Sequence, residues 1–577
     1  MATDQNGRTG RQSRRVQVLM RSVAISTLLF VAACGQREQE IAQRDTSSLL
    51  PPPPVAPISK QSAEPLLEAE QGRALTLATG QSFYDSAFPA PEENRENYKR
   101  PEDNPVKQVV KDPVSTFSID VDTGAYANTR RFIEDGYLPP VDAVRVEELI
   151  NYFSYDYPLP DSREQPFSVT TEVAPTPWNA RTKLVHIGLK AFDIPTEQRP
   201  AANLVFLVDV SGSMHATDKL PLLQSSLRLM VNKMTAADRI SLVTYAGSTE
   251  VVLPATSGAE KAKIMAAIDQ LTAGGSTNGG AGIRLAYAEA QKEFIKGGIN
   301  RILLATDGDV NVGTVDFDDL KKLIEGKRKS GVSLTTLGFG TGNYNDHLLE
   351  QLADAGNGNH AYIDSLSEAR KVLVEELSST LITVAKDVKL QVEFNPSVVA
   401  EYRLVGYENR QLQREDFNND KVDAGEIGAG HTVTALYEIA LVGSDGLSVD
   451  PLRYGQKPGE SEGTSGKGAD ASNLNNELAF LRVRYKAPEE ETSKLMEFPI
   501  HRDQILSENQ FPSERFRFSA AVASFGQILR DSPYSGDMSL SDTAKLAKSA
   551  LGEDPFGYRR EFLNLVDLAS SLEVAKK

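Results

Sequence analysis

Between residues 203 and 377 the chain alternates short apolar runs with stretches whose apolar residues recur at helical spacing. No other feature restricts the fold as much. Residues 204–210 (LVFLVDV) form a continuous apolar run, the pattern of a strand buried on both faces. Residues 219–234 follow with Leu223, Leu227, Met230 and Met234 on one helical face. Strands are expected at 240–245, 301–306, 333–340 and 361–363, with 250–253 as an antiparallel edge beside 240–245. Helices are expected at 260–271, from the glycine-rich loop GGSTNGG (274–280) through Phe294, and at 317–330, 347–355 and 366–377. Such alternation predicts a doubly wound, mostly parallel α/β sheet between helices, placed here over 201–380. In these sheets a ligand site lies at the carboxyl ends of the strands.

Three segments fall at those ends. Asp209, Ser211 and Ser213 close the first strand as DVSGS, Thr277 lies in the glycine-rich loop, and Asp307 closes a later strand as ATDGD. All five side chains are oxygen donors, which suit Mg²⁺, Mn²⁺ or Ca²⁺ rather than zinc or copper. Two carboxylates can at most balance a divalent ion, and Gly212, Gly274 and Gly275 let the backbone approach closely. An open site with three hydroxyls suits Mg²⁺, which keeps water readily. The carboxylates are expected at a solvent-open edge.

Asp209, Ser211 and Ser213 match the D-x-S-x-S motif, and Thr277 and Asp307 fall where the same family has its Thr and second Asp. The segment thus resembles a von Willebrand factor type A domain with a metal-ion-dependent adhesion site. The resemblance implies that Ser211, Ser213 and Thr277 coordinate the ion directly, that Asp209 and Asp307 act mainly through bound water, and that an Asp or Glu of a protein partner completes the shell. Asp309 and His215 lie nearby in sequence and read as solvated surface residues.

The flanks read differently. Val388, Leu390, Val392 and Phe394 alternate with polar residues, as do Leu481, Val483 and Tyr485, and residues 167–173 and 184–189 are strand-like too. Half-buried strands need a covering layer. A β-sandwich built from 161–200 and 381–510, with the α/β domain inserted into it, is the simplest arrangement. Residues 113–160 are expected to be a helical module, with Val146, Leu149, Ile150 and Phe153 on one face and Asp142 as N-cap. Residues 511–577 are expected to be a C-terminal helical segment. The 115–158 stretch, AGEIGAGHTVTALYEI (424–439) and NNELAFLRVRYK (475–486) resemble the YfbK-like group of bacterial von Willebrand A lipoproteins.

The N-terminus reads as an export signal. Arg8, Arg11, Arg14, Arg15 and Arg21 precede an apolar run at 22–33, too short to span a bilayer, which needs ~20 residues. The run ends Val-Ala-Ala-Cys at Cys34, which resembles the bacterial lipobox and implies cleavage before Cys34 and its lipidation. Residues 1–33 are then signal peptide, and the mature chain carries −21 rather than −17. The lipid makes the protein membrane-anchored rather than membrane-spanning. Gly35 in place of Asp favours, by resemblance to envelope lipoproteins of two-membrane bacteria, the outer membrane facing the periplasm. Residues 34–112 hold a third of the chain's 30 prolines and no sustained period, so they are expected to be a disordered tether.

Composition excludes several classes. A chain of net charge −17 and pI near 5.1 is a poor non-specific nucleic-acid binder, and no nucleic acid is expected as partner. One Cys excludes a disulfide framework and a Cys-rich metal centre. Six His contain no HExxH pair. DFNNDKVDAGEIG (416–428) imitates a calcium loop but has Lys421 at the glycine position, and GESEGTSGKGA (459–469) misses the Ser or Thr of a P-loop. The reading is therefore a non-enzymatic, envelope-anchored, metal-dependent protein-binding module. The alternatives from other classes are a metal-assisted hydrolase and a structural scaffold whose metal only stiffens loops.

Overall fold

A computed structural model of the chain describes residues 95–99, 102–162, 164–195, 198–308, 317–450, 476–507 and 510–576. Cys34, the signal segment, most of the expected tether, Asp309 and the 459–469 loop lie outside the described residues. In chain order the strands are β1 (Lys107–Gln108), β2 (Val114–Ser118), β3 (Phe167–Thr176), β4 (Asn179–Ala191), β5 (Ala202–Asp209), β6 (Arg239–Tyr245), β7 (Thr249–Ser257) and β8 (Ile299–Thr306). They continue as β9 (Ser333–Phe339), β10 (His360–Ile363), β11 (Thr383–Phe394), β12 (Val399–Val405), β13 (Ile427–Gly428), β14 (Thr432–Leu441), β15 (Glu477–Lys486) and β16 (Lys494–His501).

The central sheet has the order β10-β9-β8-β5-β6-β7. All its pairings are parallel except β6 with β7, the expected antiparallel edge. β5 and β8 sit in the middle, and all eight residues of each are buried, which is why their sequences do not alternate. Leu204, Phe206 and Val208 face one core with the helices Leu220–Lys233 and Lys261–Asp269. Val205 and Leu207 face the other, with Gly279–Lys292, Phe317–Arg328 and Asp346–Ala355. The single helix expected over 366–377 is instead two short α-helices, Leu366–Arg370 and Leu377–Leu381, with a π turn at Lys371–Glu375 between them. Lys371, Val372 and Leu373 of that turn are buried, with Ala369 before it and Leu377 after it, so packing rather than propensity sets its winding.

Two further sheets form the sandwich, ordered β1-β12-β14-β4-β3 and β13-β11-β15-β16, with β2 also paired to β11. β4 precedes the α/β domain and β14 follows it, yet they pair antiparallel, Ile187 opposite Ala435. Val185, Ile187 and Leu189 share one core with Val388, Leu390, Val392, Leu481 and Val483, as the period-two pattern requires.

Four expectations need correction. The 113–160 module is not wholly helical: β2 belongs to the sandwich, because the Leu390–Glu393 stretch of β11 offers it an edge. Its helices and those of 511–577 are not separate modules but one layer. Ile133, Leu149, Phe153, Phe518, Phe525 and Phe562 share a single core against Leu184 and Leu436 of the sandwich. Asp142 sits in a 3₁₀ turn, and the helix Val146–Asn151 starts after Arg145 without a side-chain cap. The tether expectation also runs too far. Val109 is buried, β1 pairs with β12, and Asn104 donates to the carbonyls of Leu404 and Gly406 at 3.0 and 2.7 Å. A segment with no period of its own is ordered here by an existing sheet edge.

Candidate metal site at the carboxyl edge of the central sheet

Asp209 is the last residue of β5 and has no solvent exposure. Its Oδ1 accepts the backbone N–H of Ser211 at 2.9 Å, folding the DVSGS segment back over the strand end. Its Oδ2 accepts the Thr306 hydroxyl at 3.0 Å, which ties β5 to the end of β8. The Ser211 and Ser213 hydroxyls lie 3.0 Å apart, the first buried and the second exposed. The two serines thus form a short ladder from the buried carboxylate outward.

The glycine-rich loop is docked on this segment by its backbone. Gly274 N–H donates to the Val210 carbonyl at 2.8 Å, and Gly212 N–H donates to that of Gly275 at 3.0 Å. Gly275 has φ +86°, and a Cβ there would lie 3.3 Å from Gly247 N, so glycine is required for the approach. The docking brings half-buried Thr277 to the same edge, one residue before Asn278, which caps the helix Gly279–Lys292.

Asp307 follows β8 directly and is also fully buried. Its Oδ2 accepts from the Lys219 ammonium at 3.0 Å. Burial pushes the Asp209 carboxyl up to about 6; Asp307's charge adds to this, while the bonds from Ser211 and Thr306 oppose it. The expectation of a solvent-open pair of carboxylates is therefore corrected. Loops distant in sequence cover both, and protein donors rather than water satisfy them.

Sequence reasoning missed Thr306 and Lys219. Thr306 stands beside Asp307 in ATDGD, where it read as the end of a strand. Lys219 lies ten residues after Asp209, where it read as the start of a helix. His215 is exposed in the 3₁₀ turn Gly212–His215. The calcium-like segment spends its acids elsewhere: Asp416 accepts the Gln413 N–H, and Asp420 accepts from Arg484 and Ser493.

No group of three or more His, Cys, Asp or Glu is arranged for a metal among the described residues. The site at this edge is of another kind, two carboxylates with neutral hydroxyls. The residues fit a hard divalent cation. Two buried acids repel one another, one is held above its ordinary pKa by burial, and the Thr306 hydroxyl and Ser211 lie beside Asp209 while the Lys219 ammonium meets Asp307. A separate cavity of about 670 Å³ lies against the sandwich, lined by Trp178, Arg403, Glu438 and Tyr534 among others. Its Glu438 is taken by Trp178, Asn179, Thr182 and Arg403.

The sheet order, the antiparallel edge and the strand-end segments define a protein built around a von Willebrand factor type A domain, and residues 203–377 match the family model of that description. Residues 92–186 match the model described as von Willebrand factor, and 379–572 the model described as the C-terminal part of uncharacterized protein YfbK. The chain is 51% identical over 483 residues to uncharacterized protein YfbK of Escherichia coli K12, covering 82% of this chain and 81% of that one; it belongs to the YfbK family. An uncharacterized protein of a Synechocystis strain is 31% identical over 198 residues, covering 34% of this chain and 45% of that one. Among solved structures, a von Willebrand factor type A protein from Catenulispora acidiphila aligns at TM-score 0.39 and 16% identity, covering 71% of this chain and 91% of that one.

Proposed function

We propose that this protein is an envelope-anchored recruitment module, without enzymatic activity, that captures a protein partner through a divalent ion at Asp209, Ser211, Ser213, Thr277 and Asp307. Type A domains are in general interaction modules, and the chain contains one. The observation that carries the finer reading is the pair of fully buried carboxylates at the sheet edge, joined to a ladder of serine hydroxyls that leads outward. When bound, Mg²⁺, with Mn²⁺ or Ca²⁺ as substitutes, supplies a Lewis-acidic position for an Asp or Glu of the partner. Ser211, Ser213 and Thr277 hold the ion by their hydroxyls, and Asp209 and Asp307 balance its charge. Cys34 carries the lipid that keeps the module at the membrane, in the outer membrane facing the periplasm.

The test compares capture of partners from envelope extract by the wild type and by Asp209→Ala, each with and without EDTA. Capture lost on either change is expected; capture unchanged by both contradicts recruitment through the ion. The anchor is tested separately: Cys34→Ser is expected to leave the membrane fraction, and a variant that still partitions with membranes contradicts lipidation.

A further inference from the structure

Lys219 is placed with more care than a helix start needs. Its ammonium donates to Asp307 Oδ2 at 3.0 Å and to Asn343 Oδ1 at 2.7 Å, and the residue is buried. The stem runs past Gly340, which has φ +77° and where a Cβ would lie 2.2 Å from Lys219 Cγ. Glycine at 340 therefore makes the channel that lets the lysine reach the site. An ordinary clamp between helix and sheet would not need to spend one of the site's two acids.

We propose that Lys219 is a resident cation of the metal site and sets which ligand the loaded site takes. The inference rests on the metal reading above. Asp209 and Asp307 with Lys219 leave one net negative charge. A divalent ion turns this to one net positive charge, and a carboxylate from the partner brings it to zero. Without Lys219 the loaded site is already neutral, and an incoming carboxylate makes it negative inside a poorly solvated edge. Lys219 thus weakens the metal and strengthens the anion. The chemical class of ligand that follows is a single monoanionic carboxylate, and a neutral amide in its place is disfavoured.

The test uses the full chain in calorimetric titrations with Mg²⁺ and Mn²⁺, followed by acetate and then acetamide added to the Mn²⁺-loaded protein. Lys219→Met removes the charge, and Lys219→Gln removes it while keeping a donor toward Asp307, which guards against a misfolded variant. Both are expected to bind the metal more than about tenfold tighter, because a like charge beside a divalent ion is removed. Both are expected to bind acetate several-fold more weakly. Asn343→Ala keeps the lysine but removes one of its acceptors, so the ammonium leans on Asp307 and metal binding weakens several-fold. Wild-type metal binding with unchanged affinities in all three variants, or acetate binding no better than acetamide, overturns the inference and leaves the metal reading standing. Failure of the wild type and of both lysine variants to bind either metal overturns the metal reading, and the inference with it.

Discussion

Two of the buried carboxylate clusters among the described residues are neutralised in different ways. At the sheet edge, Asp209 accepts from the Ser211 backbone N–H and the Thr306 hydroxyl, and Asp307 from the Lys219 ammonium. At the junction of the type A domain with the helical layer and the sandwich, two guanidiniums organise the acids. Arg145 holds Glu148, Asp346 (2.5 Å) and Glu350 (3.4 Å). Arg410 holds Asp120 (3.1 Å), Asp122 (3.4 Å), Glu350 (3.1 Å) and Asp354 (2.8 Å). Burial opposes ionisation of Glu350, but Arg145, then His347 and Arg410, bring it down to about 2. The guanidinium fork is planar, permanently charged and able to meet several carboxylates at once. Six acids face the two guanidiniums here, and burial raises the pKa of Asp122, Glu148 (to about 8) and Asp354, so protons as well as the forks take up the excess charge. A cluster built on hydroxyls and one ammonium leaves negative charge that a small cation can take. Charge type, rather than the number of acids, separates the structural cluster from the candidate site.

The contrast can be broken at its strong end first. Arg145→Met strands several buried carboxylates, and breaking a buried pair by removing one partner costs about 3–5 kcal/mol. Urea denaturation of the variant is expected to show a loss of that size. A loss below about 1 kcal/mol, the scale of an exposed pair, would mean that the junction is not held by its arginines.

A smaller effect comes from Glu147, which lies in the same junction yet has Oε2 buried without a hydrogen-bond partner. Burial, and then the charges of Glu408 and Asp120, push its carboxyl up to about 7. In the folded state it holds its proton at pH values where the unfolded chain has lost it. Its stabilising contribution is full below the ordinary carboxyl range and is lost as pH rises through about 7. Glu147→Gln is expected to match the wild type near pH 4 and to exceed it by about 1–3 kcal/mol near pH 8, from a shift worth about 1.4 kcal/mol per pKa unit. Equal slopes for the two proteins between those values would contradict the burial argument.

Ser213→Ala should do least to the fold. Its hydroxyl is exposed and meets Ser211 at 3.0 Å, so a stability change within about 0.5 kcal/mol is expected by thermal melting. The same variant is expected to weaken Mg²⁺ binding about tenfold. Undiminished affinity would remove Ser213 from the site.

How much was legible in the sequence follows from how local each signal is. DVSGS announces itself because a doubly buried strand cannot alternate and must end where a polar residue follows. The sandwich strands at 167–173, 184–189, 388–394 and 481–485 were legible by their period of two, whereas β14, which pairs with β4 across the inserted domain, was not singled out as a strand. Lys219 was not legible as part of the site, since its partners Asp307 and Asn343 stand 88 and 124 positions away. Arg145 hides in the same way: Asp346, 201 positions on, fixes its side chain, while Asp142 offered the familiar capping residue nearby. The burial of Asp209 and Asp307 was misjudged because the residues that cover a strand end come from other loops. Residues 95–99 and 102–112 lack any pattern of their own and take their order from β12 and from the loop carrying Gly342 and Tyr344.

The central claim is that five residues at the sheet edge bind a divalent ion. Calorimetric titration of the full chain with Mg²⁺ and Mn²⁺, beside Asp209→Ala, tests it most directly. The wild type is expected to bind one ion, and the variant at least about 100-fold more weakly, a loss at or beyond the upper end for second-shell partners of a metal site. No binding by the wild type, or equal binding by Asp209→Ala, would contradict the account.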